Sequence, residues 1–175
     1  MAAHLQAVLL TWLSVVSSQS PSVGTPNLQF YCHTGYNQQD CKLQSRQLGE
    51  VLAGMDLAGL GDWAWILVPT TDWTPILRGV GRDPDSPAFT ILEKRQTFLD
   101  EALFTADPER SRTFLEKWRI PLDRFLVYTV AHELAHALCR ETDESRARVY
   151  ADELQNTGRV TCRGRNGPKA MSVSK

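Results

Sequence analysis

The chain has 175 residues, enough for one domain with a sizeable core, and 42% of them are hydrophobic while 22% are charged, as in ordinary globular proteins. Its 19 basic and 20 acidic side chains nearly cancel, so no overall field attracts nucleic acid or an anionic membrane. Composition therefore excludes a strongly charged nucleic-acid-binding protein. We expect one folded domain over residues 28–162, present as a monomer.

The N-terminal segment has the character of a secretory signal peptide. Residues 7–16, AVLLTWLSVV, form an apolar run that is too short to cross a bilayer but typical of a signal-peptide core. Because Lys42 is the first basic residue, a buried N-terminal helix is the alternative. We predict a signal peptide over residues 1–18, a linker over 19–27, and secretion or a periplasmic location without lasting membrane insertion. A cytoplasmic protein is the other option.

The four cysteines agree with export, since an even number of cysteines in a small exported protein supports disulfide bonds. Of the three pairings that four cysteines allow, the local one joins Cys32 to Cys41 and Cys139 to Cys162. In a cytoplasmic protein all four would be free thiols. The last residues, 163–175, include basic but no acidic side chains and predict a flexible tail.

The first half of the chain predicts one helix and two strands. Apolar residues at helical spacing indicate an amphipathic helix over residues 41–57, and the continuous apolar run 63–68 indicates a buried strand. A second strand or short hairpin is predicted over 89–91 and 97–99. Between the strand over 63–68 and residue 89 we expect a long loop. This stretch is interrupted by Pro75, Gly79, Gly81, Pro84 and Pro87.

Helices dominate the second half. Residues 107–109 (DPE) are typical of a helix start, and the helix that they open would contain Phe114, Leu115 and Trp118. Pro121 opens a second, long helix of about 20 residues that reaches the HELAH sequence. Apolar residues at helical spacing indicate a third helix that ends at Gly158, and they are Ala147, Tyr150, Ala151 and Leu154. Helix, strands and then helices predict an α+β fold.

Two histidines in the second of these helices suggest a metal site. His132 and His136 lie four positions apart, so both imidazole rings face one side and can bind one ion at roughly 2.0–2.1 Å. Glu133 points about 100° further round the helix axis, which suits a general base that acts on a metal-bound water. The pattern predicts a zinc site, and the alternative is two histidines that only pack or face solvent.

A catalytic zinc ion needs a third protein ligand. Cys139 lies on the same helical face, but about 10 Å along the axis from His132, which is too far for convergence. The third helix offers Asp143 or Glu144, which both extend its apolar stripe backwards. Asp143 is well placed to cap this helix, which leaves Glu144 in the first turn to face the metal. The alternative is that Glu144 binds no metal and is only a negative charge stabilised by the positive N-terminal end of the helix dipole.

These motifs resemble those of a known family. Residues 132–136 (HELAH), followed by Glu144, Ala147 and Ala151, are similar to the HExxH and ExxADxxA motifs of the gluzincin metallopeptidases. The resemblance is strong over residues 121–155. It implies a zincin-like fold, in which a small antiparallel or mixed sheet packs on an active-site helix and on a helix that carries the glutamate.

The resemblance also implies roles for individual residues. His132, His136 and Glu144 would bind zinc, and Glu133 would activate the water. The substrate would be a peptide or protein, held in extended form along the strand before the active-site helix, which is either 88–92 or 97–100 in this chain.

Two departures from the family pattern bear on activity. Arg148 stands where the family has an aspartate, so the carboxylate that usually orients a ligating histidine is missing. No histidine follows His136 to stabilise an oxyanion, and the nearest candidate, Tyr150, belongs to an apolar stripe. A zincin-like binding protein without catalysis is therefore one alternative to an exported zinc peptidase, and an intracellular regulatory peptidase is another.

Overall fold

The computed structural model describes residues 26–105, 112–113, 115–117, 119–120 and 122–163. Several predicted features lie outside these residues: the signal peptide, most of the linker, the helix start at 107–109, the basic tail beyond Arg163, and the positions of Phe114, Trp118 and Pro121.

Four strands form one mixed sheet. They are β1 (Leu28–Cys32), β2 (Trp63–Val68), β3 (Ala88–Ile91) and β4 (Gln96–Asp100), in the order β1-β2-β4-β3. β2 runs parallel to both β1 and β4, whereas β3 is antiparallel to β4 and forms one edge of the sheet. The predicted buried strand over 63–68 and the predicted hairpin are both confirmed.

The main helices of the described chain are α1 (Gln38–Ala53), α2 (Thr70–Gly79), α3 (Leu122–Cys139) and α4 (Glu144–Thr157). With the mixed sheet they confirm the α+β class. β1 was not predicted, and α1 begins earlier than expected because Asn37 caps it, accepting hydrogen bonds from the backbone N–H groups of Gln39 and Asp40. No helix in the described ranges is long and apolar enough to cross a membrane.

The predicted loop after β2 is wrong in its first half, because residues 70–79 are helix α2. Pro75 lies inside this helix, where a proline costs about 3 kcal/mol. The side chains of Trp73 and Leu77, four positions apart, are both completely buried against Val68 and Phe89. Burying two such side chains contributes roughly 1.5–3 kcal/mol each, so tertiary packing outweighs the local preference against a helix.

The sheet separates two clusters of apolar side chains. The side chains of Trp63, Trp65 and Leu67 lie on the face that packs against α1, α3 and α4, as alternation along a strand requires. On the other face, Ile66 and Val68 join the side chains of α2. The C-terminal half of α3 lies deep in the larger cluster, so its backbone is held firmly at the position where the histidines occur.

The structure has the two local cysteine pairs. Cys32 joins Cys41, which fixes the end of β1 to α1, and Cys139 joins Cys162, 23 residues later. The second bond ties the last residue of α3 to the segment that follows α4. The predicted pairing is therefore confirmed, and it suits an oxidising compartment.

Candidate metal centre

Three predicted ligands lie together where α3 meets α4. His132 Nε2 is 3.0 Å from Glu144 Oε2, His136 Nε2 is 3.5 Å from the same oxygen, and the two Nε2 atoms are 3.2 Å apart. A tetrahedral zinc ion with bonds of roughly 2.0–2.1 Å holds its ligand atoms about 3.3 Å apart. The three atoms therefore have the spacing of a metal-binding group, and His132, His136 and Glu144 can hold an ion.

A short connection brings α4 back to α3 without a glycine. Arg140 adopts a left-handed backbone conformation with φ of 47°, and the Glu141 N–H donates to the His136 carbonyl at 3.1 Å. This is a Schellman-type helix end, which reverses the chain within a few residues. Asp143 then caps α4 by accepting the Arg146 N–H at 2.9 Å, and Glu144 begins the helix beside the histidines. Asp143 is therefore the N-cap of α4, as the sequence predicted, and Glu144 is the residue beside the histidines.

The segment between α3 and α4 also orients the ring of His136. Its Nδ1 lies 2.6 Å from the backbone carbonyl oxygen of Glu141, so Nδ1 carries the hydrogen and the Nε2 lone pair faces the cluster. The Glu141 carboxylate in turn accepts the N–H groups of Thr142 and Asp143 and pairs with Arg146. Sequence reasoning missed Glu141, and the only signal for it was the general need of a ligating histidine for an acceptor.

Among the described residues, His132 Nδ1 has no partner of this kind. This nitrogen is buried. The ring of Tyr128, one helical turn earlier, stacks on the ring of His132 with centroids 6.4 Å apart. The resemblance implies that the carboxylate that usually orients a ligating histidine is missing where Arg148 stands, and among the described residues no other group takes the hydrogen bond of His132 Nδ1.

Glu133 lies next to the ligands but in a different environment. It is 5% exposed, its Oε2 has no hydrogen-bond partner in the described residues, and burial raises its pKa above the ordinary value. Glu144 behaves in the opposite way, since its close contacts with the His132 and His136 rings hold its pKa far below the usual range. The two carboxyl groups therefore differ in their readiness to hold a proton, and Glu133 is the one that holds it more readily.

A chain of buried hydroxyl groups leads from β2 to Glu133. The Trp63 indole N–H donates to Thr97 Oγ1 at 3.0 Å, and Thr97 Oγ1 lies 2.8 Å from Thr90 Oγ1. Thr90 also hydrogen-bonds to Glu133. An ionised carboxylate only accepts hydrogen bonds. When Glu133 is ionised, Thr90 therefore donates to Glu133 and Thr97 donates to Thr90.

The cluster opens into a cleft of about 530 Å³. One wall is the edge strand β3, with Ala88, Phe89 and Thr90, and the other wall is formed by α3 and α4. Tyr150 does not line this cleft: it is 5% exposed, and its hydroxyl lies 3.2–3.3 Å from the backbone N and O of Arg163. The structure thus brings together four of the five predicted site residues and leaves Tyr150 apart.

No protein-family model matches this sequence, and a search of curated proteins finds no significant match.

Proposed function

We propose that the protein is a zinc-dependent peptidase of the HExxH type, with a site similar to that of the gluzincins and a zincin-like fold. One observation carries the proposal: Glu133, a buried carboxylate with an unpartnered oxygen, lies beside three ligand atoms spaced for zinc. Two histidine nitrogens and one carboxylate oxygen are a donor set that suits zinc and leaves one position open for water.

Individual residues of the chain would have different roles in hydrolysis. Bound zinc supplies Lewis acidity toward a water molecule and toward the peptide carbonyl. Glu133 accepts the proton from the attacking water, and its raised pKa suits it to hand that proton to the leaving amine. The edge strand β3 offers backbone N–H and C=O groups to an extended peptide, which aligns the scissile bond with the cluster.

We further propose that the enzyme works after export, in the periplasm or outside the cell, as a monomer acting on peptides or proteins. The two cysteine pairs and the apolar N-terminal run support this location. A non-catalytic binding protein with the same metal is the second candidate, because His132 Nδ1 has no partner in the described chain.

Elemental analysis and a cleavage assay test the proposal together. We expect about one zinc per chain in the wild-type protein, almost none in His132→Ala, and cleavage of an unbiased peptide library that a chelator stops. If the zinc-loaded protein cleaves nothing and chelation changes only its melting temperature, the binding-protein candidate replaces the peptidase. A wild-type protein that takes up no zinc would contradict both.

Thr90 is expected to orient the general base. Thr90→Val removes the last donor of the hydroxyl chain while keeping the shape, so kcat should fall about tenfold, the loss of one hydrogen bond to a charged group. Zinc content should not change, and Thr90→Ser should restore most of the activity. Equal kcat values for the Val and Ser variants would show that the hydroxyl plays no part.

Arg148→Asp should improve metal binding. The resemblance implies that an aspartate at this position orients a ligating histidine, and His132 Nδ1 has no hydrogen-bond partner among the described residues. Such partners typically change metal affinity 10- to 100-fold. We expect zinc to bind at least about tenfold more tightly, measured by competition with a chelator of known affinity. Arg148→Gln, which removes the positive charge without adding a carboxylate, is the matched control. If both variants bind zinc alike, the missing acceptor is not what limits affinity.

A further inference from the structure

More acidic than basic side chains line the cleft beside the metal cluster. The acidic ones are Asp83, Glu93, Glu133, Glu141 and Glu144. Glu133 and Glu144 belong to the candidate metal centre, where a bound divalent ion would offset their negative charge. The charge that a substrate meets therefore depends on the other three.

Two of these three carboxylates are engaged in ion pairs. Glu141 pairs with Arg146 at 2.9 Å, and Asp83 pairs with Lys117 at 2.8 Å. The side chain of Glu93 is exposed, and its carboxylate has neither a hydrogen bond nor an ion pair among the residues that the structure describes. It is therefore open to a ligand in the cleft.

The basic side chains near the cleft do not neutralise Glu93. Arg82 lines the cleft in the turn that precedes β3, and Arg148 is engaged in another interaction within the chain. Next to Glu93 in the sequence, Lys94 is not part of the cleft lining, and Arg95 Nη2 donates to the Leu60 carbonyl at 2.7 Å. The end of the cleft at Glu93 thus keeps a negative charge.

Glu93 lies past β3 on the side of the C-terminal half of α3. Lys117, which precedes α3, meets Asp83, which precedes β3, whereas Thr90 within β3 hydrogen-bonds to Glu133 in the second half of α3. The strand and the helix therefore advance in the same general direction. Glu93 follows Thr90 by three residues, which span at most about 11 Å.

We propose that Glu93 binds a positively charged group of the substrate, so that the enzyme selects peptides with a cation within about three residues of the scissile bond. An extended peptide along β3 advances about 3.3 Å per residue, which sets this limit. Ammonium and guanidinium groups both donate charge-assisted hydrogen bonds to a carboxylate. The cation belongs either to a Lys or Arg side chain or to the N-terminus of the peptide. This inference rests on the proposed function.

Binding of metal-directed probes tests the inference without relying on turnover. The probes are short peptides with a hydroxamic acid at the C-terminus in one series and at the N-terminus in the other. Each carries Lys one, two or three residues from the hydroxamate, and its matched probe carries Gln there. Calorimetry on the zinc-loaded full chain gives the Kd values. We expect Lys to bind about fivefold more tightly than Gln at one of these positions in the wild-type protein, as for a partly exposed ion pair.

Variants at Glu93 should change this ratio of Kd values in a defined way. Glu93→Gln should bring the ratio to about one, and Glu93→Lys should reverse it. Glu50→Gln is the matched control, because it removes an exposed carboxylate on α1, which does not line the cleft, and it should keep the wild-type ratio.

The outcomes separate this inference from the proposed function. If the protein binds zinc but the Lys preference is absent, or is equally large in Glu93→Gln, cation recognition by Glu93 is wrong while the metal site stands. Zinc-loaded protein that binds none of the probes also contradicts the inference. If the wild-type protein takes up no zinc, both proposals are wrong. A preference that depends on Glu93 supports the inference.

Peptide pairs then identify the source of the cation. One pair compares a free with an acetylated N-terminus, and the other compares internal Lys with Gln at the same distance from the cleaved bond. The pair whose preference in kcat/KM disappears in Glu93→Gln names the source. If neither pair shows a preference in the wild-type enzyme, substrate selection by Glu93 is overturned.

Discussion

Replacing Glu133 with Gln should abolish peptide hydrolysis while leaving the fold and the zinc in place. Gln has nearly the same shape, but it cannot accept the proton of the attacking water, and a general base typically contributes 10²- to 10⁴-fold to the rate. We therefore expect kcat to fall by about that factor. The buried carboxyl is not one of the three converging ligand atoms, so zinc content should stay at the wild-type level.

The measurement is a peptide-cleavage assay beside elemental analysis and a melting curve. Since a buried carboxylate is costly to desolvate, the Gln variant should melt no lower than the wild-type protein. Full activity in Glu133→Gln would exclude Glu133 as the base. Loss of zinc in this variant would instead show that Glu133 is a ligand.

Glu144→Ala should lower zinc affinity by more than about 100-fold. This is more than the loss expected when a group that only hydrogen-bonds to a metal ligand is removed. The variant removes the oxygen that lies 3.0 Å from His132 Nε2 and 3.5 Å from His136 Nε2. Asp143→Ala is the matched control, because it removes a carboxylate one residue away that caps α4. It should cost about 1 kcal/mol of stability and leave most of the zinc bound.

Chelator competition and thermal unfolding of the two variants separate these roles. If Asp143→Ala loses more zinc than Glu144→Ala, then the third ligand has been assigned to the wrong residue.

The elements that the sequence predicted well are those whose own residues carry a strong pattern. β2 is a continuous apolar run, and α4 has a buried stripe that ends at Gly158, so local information was sufficient. β1 and α2 depend on partners elsewhere in the chain. β1 pairs with β2 from Leu28 opposite Trp63 onward, and α2 forms despite Pro75 because its buried side chains meet the sheet. Such contacts are not visible in a short stretch of sequence.

Some residues of the candidate site could likewise be predicted from local patterns, and others could not. His132, Glu133 and His136 follow from one helical repeat, and Glu144 followed from the pattern of the next helix. The Glu141 carbonyl is a backbone group in a turn, so its residue type carried no signal. Thr90 reaches Glu133 from a strand more than 40 positions earlier in the sequence, a contact that only the folded chain creates.

The bond between Cys139 and Cys162 would couple the redox state of the protein to metal binding at the proposed site. It ties the end of α3 to the segment after α4, and these two helices carry the candidate ligands. Closing a loop of 23 residues stabilises the folded chain by about 3 kcal/mol relative to the unfolded chain. Reduction would let α3 and α4 separate more easily and so weaken zinc binding. By thermodynamic reciprocity, bound zinc would protect the cysteine pair from reduction by the same factor. In a reducing compartment the protein would therefore tend to lose both its cross-link and its ion, whereas after export each would help to retain the other.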